Sequence, residues 1–127
     1  MISLQHPVYI EHTDMQGIVN HTHYFNWMGW ARAGWCQSRS VNENNIRERG
    51  LSWRIANVGC DYMHSARLGD VIDSHTTVEI KGVRILFKTE FKIKNRVIAR
   101  AHSEMVCVDH CSGRVQRLSV LNLDPEH

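Results

Sequence analysis

The chain has 127 residues, which leaves room for one compact domain, since a domain commonly holds about 150 residues. Charged residues make up 22% and hydrophobic residues 43%, a balance that excludes a disordered chain and a disulfide-stapled miniature. The 15 Lys and Arg and 13 Asp and Glu give a net charge of +2, too near neutral for a dedicated nucleic-acid binder. No stretch approaches the roughly 20 apolar residues of a membrane span, and the start does not resemble a signal peptide, so we expect a cytoplasmic protein.

The first predicted elements are a short strand over Gln5 to Glu11 and a helix over residues 24–39. The apolar side chains of residues 24–39 recur at helical spacing and the other positions are poor in charge, which predicts one largely buried helix. Gly29 and Gly34 each cost roughly 1 kcal/mol relative to Ala in a helix interior. We therefore expect a neighbouring element to pack closely against this helix at both positions.

The rest of the chain reads as strands, after a short helical turn near Glu43 to Arg49. A slip in the alternation near Ala56 and Asn57 predicts a bulge in the next strand. The connections 81–83 and 94–96 have hairpin length, so the last three strands are predicted to form an antiparallel meander. The four strands are predicted over residues 52–64, 72–80, 85–93 and 97–108.

One buried helix against an antiparallel sheet of about five strands is an α+β architecture. Repeats, low-complexity runs and flexible linkers do not interrupt the pattern, so residues 1–127 are predicted to form a single domain. The residues after Asn122 are predicted to be a loose tail.

The segment that carries chemistry lies just before and at the start of the helix. It contains Asp14, Gly17, Asn20, His21 and Tyr24. A carboxylate in a tight loop beside a helix N-terminus lies next to backbone amides that can stabilise a developing oxyanion. Gly17 permits the turn, and the amides near His21 would point at a docked carbonyl. From spacing alone, the alternative is that Asp14 caps the loop and His21 is an ordinary surface residue.

The stretch T-D-M-Q-G-I-V-N-H-x-x-Y-F-x-W resembles the motif of hotdog-fold acyl-CoA thioesterases of the 4-hydroxybenzoyl-CoA thioesterase and YbgC-like type. The likeness extends to ARLGDVIDSHTTVEI and FKIKNRVIARAHSEMVCVD, which resemble later strands of that family. It implies a curved sheet wrapped around the helix and a site formed between two subunits. It also implies an acyl-CoA or acyl carrier protein thioester as substrate, no cofactor, and a homodimer at least, with a homotetramer expected.

The resemblance also assigns roles to individual residues. Asp14 matches the catalytic aspartate, which acts as general base or as nucleophile, and His21 matches the position whose backbone amide polarises the thioester carbonyl. Gly17, Asn20 and Tyr24 are implied to contact the substrate. A second branch of the family carries its catalytic carboxylate within the helix, and residues 24–39 contain no Asp or Glu.

Two positions depart from the family pattern. His12 stands where many relatives have a second acid, which can alter the working pH of Asp14. Asn20 stands where close relatives often have an aromatic residue, which leaves the shape of the acyl pocket open.

Residues 81–100 contain seven Lys and Arg against Glu90 alone, a local charge of +6. One interpretation is a solvated strand face whose lysines discourage aggregation. The family resemblance offers another, in which Lys81 and Arg84 bind the phosphates of coenzyme A. An RNA-binding surface is disfavoured, because the interleaved aromatic residues, Phe87 and Phe91, share the predicted core face.

Other function classes find little support. The cysteines at 36, 60, 107 and 111 match neither a redox pair nor paired zinc knuckles, and the nine histidines are scattered, so we predict thiols and no metal site. Neither a G-x-S-x-G elbow nor a Gly-rich nucleotide fingerprint occurs. The sequence therefore predicts an acyl-CoA thioesterase. The alternative is a hotdog module that binds an acyl thioester or a partner protein without hydrolysing it.

Overall fold

The computed structural model describes residues 1–123, which form a five-stranded antiparallel sheet and two helices. The sheet has the order β1-β3-β4-β5-β2, so β1 and β2 are its edges. In chain order, the elements are β1 (Ile2–Pro7), α1 (Thr22–Ser38), α2 (Glu43–Arg47), β2 (Leu51–Tyr62), β3 (Val71–Lys81), β4 (Arg84–Ile93) and β5 (Arg96–Asp109).

The predicted α+β class and the meander of β3, β4 and β5 are confirmed, because these strands pair antiparallel in sequence order. The register of β2 against β5 shifts between Ile55 and Asn57, which confirms the predicted bulge.

The predicted position of the N-terminal strand lies too far along the chain. The strand begins at Ile2 and ends at Pro7, and residues Ile10–His12 form a 3₁₀ turn whose Tyr9 amide donates to His12 Nδ1 at 2.9 Å.

The prediction of a loose tail after Asn122 is wrong for Leu123, and residues 124–127 lie outside the described residues. A 3₁₀ turn at Leu118–Leu121 follows the last strand. Leu118, Leu121 and Leu123 are buried in the same core cluster as Trp35. The chain after β5 therefore closes one end of the core, because its leucines recur at a spacing that one short turn can bury.

Helix α1 packs on one face of the sheet through its aromatic side chains. Tyr24 makes an edge-to-face contact with Phe91 of β4, with ring centroids 5.1 Å apart. Trp27 lies 5.4 Å from Tyr24 and 6.4 Å from Phe91, and further along the helix Trp35 meets Phe87 at 5.7 Å. These rows of buried rings hold the whole length of α1 against β4, since each buries a large apolar area in a preferred geometry.

The opposite face of α1 is open, so the prediction of a largely buried helix is wrong for that face. Trp30 is 58% exposed. Around Gly34, apart from its own helix backbone, no atom of the described residues lies within 4 Å of the place a Cβ would take. At Gly29 the nearest such atom is Arg32 Nη2, at 3.4 Å. Within residues 1–123, therefore, no neighbouring element explains either glycine by close packing.

Strand β2 leaves apolar side chains uncovered along the edge of the sheet. Val58 lies opposite Ser103 and Tyr62 opposite Ala99, both of which are buried on the helix side of β5. Val58 and Tyr62 thus share the face that carries α1, yet they are 48% and 44% exposed, and Ile55 and Met63 are exposed as well. Helix α1 therefore covers the sheet fully only as far as β5 and leaves β2 partly open.

None of the helices among the described residues is both long and apolar enough to cross a membrane.

The buried His6 of β1 makes stability depend on pH. His6 is 2% exposed, stacks on Trp27 at 4.9 Å, and places Nε2 2.8 Å from Ser74 Oγ, while Nδ1 has no partner among the described residues. Burial lowers the pKa of His6 to about 4; nearby Asp73 raises it and His12 lowers it further. Because the folded pKa lies below the unfolded value, this contribution to stability is complete above about pH 6.5 and is lost as the pH falls toward 4.

We predict that the free energy of unfolding of the wild type falls by about 2.5 kcal/mol more between pH 7.5 and pH 4.5 than that of His6→Phe. The substitution removes the titrating group and keeps an aromatic ring on Trp27. Urea unfolding at both pH values measures how far the free energy of unfolding falls for each protein. Only the difference between the two falls matters, so the absolute stability of the variant does not affect the result. An equal fall for both proteins would contradict the burial of a neutral His6.

Candidate active site

The loop between the 3₁₀ turn and α1 is a closed hairpin that holds Asp14 beside the helix start. The Asp14 amide donates to the Ile18 carbonyl at 2.9 Å, and the Gly17 amide donates back to the Asp14 carbonyl at 3.0 Å. Gly17 has φ = +76°, which a side chain would strain, so its predicted role in the turn is confirmed. The Val19 amide donates to the Ala66 carbonyl at 2.8 Å and thereby fastens the loop to the β2–β3 connection.

The Asp14 side chain faces a cavity of about 320 Å³ at the first turn of α1. One carboxylate oxygen, Oδ1, accepts from the Gln16 amide at 2.8 Å, and the side chain is exposed. The predicted site residues Asn20, His21 and Tyr24 line the same cavity. Asp14 therefore caps its own loop with one oxygen, while the residue borders the cavity and its side chain is exposed.

One backbone amide at the start of α1, beside this cavity, has no hydrogen-bond partner among the described residues. Asn20 Oδ1 accepts from the Thr22 amide and from Thr22 Oγ1, both at 3.0 Å. The amides of His23 and Tyr24 donate to the carbonyls of Asn20 and His21. The His21 amide has no acceptor among the described residues. It lies at the positive end of the helix, where a developing oxyanion is stabilised.

Two tyrosines form the wall of the cavity opposite the loop. The Tyr62 hydroxyl donates to the His21 carbonyl at 3.3 Å, and its ring lies 5.2 Å from that of Tyr24. Burial, with Cys60 and Asp70 nearby, raises the pKa of Tyr24 to about 12, and burial raises that of Tyr62 as well. Both hydroxyls are therefore neutral at physiological pH. They can orient a substrate but do not act as bases.

The predicted phosphate-binding residues Lys81 and Arg84 lie at the other end of the sheet. They face each other across the β3–β4 hairpin. Arg84 lies opposite Val106 of β5, whereas Tyr62 of the cavity lies opposite Ala99. Val106 and Ala99 are roughly 23 Å apart along β5, so one chain does not bring Lys81 and Arg84 to its own Asp14.

The remaining predicted features are separate from the cavity. The His12 ring packs against His23 and Trp27, with centroids 4.9 and 5.5 Å away, and its Nδ1 is bound to the Tyr9 amide. Its side chain is therefore tied to the 3₁₀ turn and does not line the cavity. Within residues 1–123, His, Cys, Asp and Glu do not form a group of three that could hold a metal ion.

Sequence reasoning missed the contribution of the β2–β3 connection to the site. Tyr62, Met63 and His64 line the cavity although they are about 40 residues from His21 in the chain. Only the register of β2 against β5 places them there. Tyr62 was predictable as the last apolar residue of a strand, but no local signal indicated which loop that strand end would meet.

The chain matches known proteins both as a member of a family and in direct sequence comparison. The family model described as the thioesterase-like superfamily matches residues 8–120. Among curated proteins, the acyl-CoA thioesterase YbgC of Haemophilus influenzae is 29% identical over 104 residues, which are 80% of this chain and 76% of that protein. These two matches confirm the resemblance predicted from the motif around Asp14.

Solved structures agree in fold. Slr0204, a 1,4-dihydroxy-2-naphthoyl-CoA thioesterase from Synechocystis, has a TM-score of 0.83 at 20% identity and covers 94% of this chain and 90% of that one. The DHNA-CoA thioesterase from Staphylococcus aureus has a TM-score of 0.82 at 18% identity, with coverage of 93% and 80%. The predicted hotdog fold, a five-stranded antiparallel sheet with one long helix, is confirmed.

We predict that Asn20→Ala lowers the free energy of unfolding by about 1 kcal/mol, because it removes the only side-chain acceptor found for the first-turn amide of α1 among the described residues. Asn20→Asp keeps the acceptor and serves as the matched control. Urea unfolding at pH 7 measures both variants. A loss below about 0.3 kcal/mol for Asn20→Ala would contradict the capping role.

Proposed function

Because the chain belongs to the thioesterase-like superfamily, we propose that it hydrolyses an acyl-CoA thioester to the free acid and coenzyme A in the cavity beside Asp14. The thioester hydrolase class follows from the family and from the activity named for the curated relative. The choice of this cavity as the active site rests on one observation. A carboxylate and a helix-start amide without an acceptor among the described residues border the same cavity.

In the proposed reaction Asp14 acts on water or on the thioester itself. As a general base, its carboxylate takes a proton from a water molecule whose oxygen attacks the thioester carbon. As a nucleophile, a carboxylate oxygen attacks that carbon directly, and water then hydrolyses the resulting anhydride. The bond from Oδ1 to the Gln16 amide holds the carboxylate in one orientation, which favours attack from a fixed side.

The His21 amide stabilises the negative charge that forms on the thioester oxygen. This role needs a donor without a competing acceptor, and the neighbouring amides of the first turn are already bonded. Collapse of the tetrahedral intermediate breaks the C–S bond, and coenzyme A leaves as a thiolate that needs little acid assistance. The His21 ring has no chemical part in the scheme, since it is exposed and lies edge-on to Tyr62.

The edge strand β2 supports a homodimer in which two copies of β2 pair antiparallel about a two-fold axis. A long, apolar and unpaired edge is a site for pairing with another chain, and a two-fold axis closes the assembly. Pairing would cover Ile55, Val58 and Tyr62, and it would place the end of β2 in one protomer near the start of β2 in its partner. The expected homotetramer and the cytoplasmic location stay predictions.

Such a dimer also gives Lys81 and Arg84 a role. Antiparallel pairing brings the β3–β4 hairpin end of one protomer to the same end of the joined sheet as the partner's catalytic loop. Arg84 is paired with Glu104, whereas Lys81 is exposed and has no acid within ion-pair distance among the described residues. Lys81 is thus the better candidate for a coenzyme A phosphate from the neighbouring site.

We predict that Asp14→Asn lowers kcat on acyl-CoA substrates by at least about 100-fold, because the amide neither accepts a proton nor attacks the thioester. Release of free thiol from a panel of aliphatic and aromatic acyl-CoAs measures the effect. Glu79→Gln, at an exposed acid on β3 outside the cavity lining, is the control and should keep wild-type activity.

Two outcomes would contradict the proposal. Full activity in Asp14→Asn would remove Asp14 from the reaction. No turnover by the wild type across the panel, together with measurable acyl-CoA or acyl carrier protein binding, would favour the non-hydrolytic module.

We predict that Val58→Lys converts the dimer to monomers at micromolar concentration and lowers activity in parallel, because a charge is buried at the centre of the paired edge. Light scattering after size exclusion measures the mass, and thiol release measures activity. Val83→Lys, in the exposed β3–β4 hairpin, is the control and should stay dimeric. A wild type that is monomeric and fully active would contradict the shared site.

A further inference from the structure

Arg32 is a half-buried cation on the face of α1 that looks toward β2. Its Nη1 donates to Ser103 Oγ at 3.2 Å, and Ser103 lies opposite Val58 in the middle of β2. A guanidinium has five N–H donors, so one bond to a hydroxyl leaves most of its donor capacity unused. Burial lowers the pKa of Arg32, yet an arginine stays charged at any physiological pH.

The charge of Arg32 is not balanced by an acid. Helix α1 contains no Asp or Glu, and among the described residues no carboxylate lies within 4 Å of the guanidinium. The nearby Cys36 thiol does not neutralise it, because burial raises the pKa of Cys36 to about 11. A partly desolvated arginine without a carboxylate is costly, so an anion would be stabilised at this position.

The one acid beside Arg32 is already engaged elsewhere. Glu43 accepts from Ser52 Oγ at 2.5 Å and from the Trp53 amide at 3.1 Å, and Arg47 Nε lies 3.4 Å from the same carboxylate. Its oxygens therefore hold α2 to the start of β2 and are compensated by their own partners.

Arg32 borders a cavity of about 290 Å³ between α1 and the start of β2. Gly29, Trp53 and Met105 are among the residues that line it. Gly29 matters here, because a side chain at this position would begin 3.4 Å from Arg32 Nη2 and would fill the space in front of it. Glu43, Gln37 and Asn42 also line the cavity, and the Glu43 carboxylate is held by its own partners. A cavity with apolar walls beside one uncompensated cation suits a small ligand with an apolar body and an anionic end.

The proposed dimer brings this cavity to the partner's catalytic loop. If pairing covers the exposed apolar stretch from Ile55 to Met63 symmetrically, it centres on Gly59. Val58 of one protomer then lies opposite Cys60 of the other, two residues, or about 7 Å, from Tyr62. Within one chain the distance from Val58 to Tyr62 is four residues, about 13 Å. These distances run along the strands; with about 5 Å between neighbouring strands, Ser103 lies roughly 12 Å from Tyr62 of the other protomer and roughly 14 Å from Tyr62 of its own. The guanidinium bonded to Ser103 is thus slightly nearer to the partner's thioester site than to its own.

We propose that Arg32 of one protomer binds a carboxylate at the far end of the acyl group held in the partner's active site. The substrate class is therefore the coenzyme A thioester of a short dicarboxylic acid. The acid has about five carbons, counting both carbonyl carbons. This inference rests on the function and the dimer proposed above. Arg32 acts as a specificity-determining residue and takes no part in bond breaking.

The test compares glutaryl-CoA with hexanoyl-CoA, which has a similar length and no second carboxylate. The wild type is expected to prefer glutaryl-CoA by at least about tenfold in kcat/KM. Arg32→Gln is expected to lose that preference because its kcat/KM for glutaryl-CoA falls. Its kcat/KM for hexanoyl-CoA should stay within about threefold of the wild-type value. Arg32→Lys should retain part of the preference, because it keeps the charge but not the fork of donors.

Arg100→Gln is the matched control, since Arg100 is paired with Glu90 on a face of the sheet away from the cavity. It should keep the wild-type preference. Thermal melting of each variant verifies that it is folded. Calorimetric binding of glutarate, compared with hexanoate, to wild type and Arg32→Gln gives a second readout that needs no turnover.

The outcomes separate the two proposals. Equal kcat/KM for both substrates in the wild type, or a preference that survives in Arg32→Gln, overturns the role of Arg32 and leaves the thioesterase proposal standing. Turnover of other acyl-CoAs of the panel but of neither of these two overturns the dicarboxylic substrate class alone. No turnover of these two or of any other member of the panel overturns the thioesterase proposal. In that case glutarate binding that is lost in Arg32→Gln still supports the anion site, and binding that is absent or unchanged overturns it.

Discussion

The edge-to-face packing of Tyr24 on Phe91 is the contact on which the candidate site depends. It joins the first turn of α1 to the central strand β4, and Trp27 extends the contact by one turn. Because the helix start is fixed in this way, the His21 backbone is held at the border of the cavity. The loop that carries Asp14 is then fastened from the other side by its bonds to the β2–β3 connection. The site is therefore rigid where chemistry requires it.

A second constraint is that the chain cannot cover its own sheet. Helix α1 shields β3, β4 and β5, and it leaves the apolar face of β2 and its own Trp30 side open. A second copy supplies the missing cover in the proposed dimer. The same pairing places two incomplete cavities together, one with a base and an oxyanion donor and one with an unbalanced guanidinium. Folding stability and substrate binding would then depend on a single interface.

Local patterns predicted most of the fold. Strands β3 to β5 and their hairpins follow from strict alternation and short connections, and Asp14, Gly17 and His21 meet because they are neighbours in the chain. The open face of α1 and the burial of Leu123 were mispredicted, since both depend on where the sheet ends. Tyr62 escaped notice for the same reason. Arg32 had one signal, a cation in a helix without acids, but its setting needs the register that places Ser103 beneath it.

A subunit-complementation measurement tests most directly whether the active site is shared between two chains. Asp14→Asn and Arg32→Gln protomers carrying different affinity tags are co-expressed, and the heterodimer is purified and assayed with glutaryl-CoA. The account predicts about half of the wild-type rate, because one of the two sites then combines an intact Asp14 with an intact Arg32 from the other chain. A rate no higher than about half that of the Arg32→Gln homodimer would contradict it, since both residues would then serve a site within one chain.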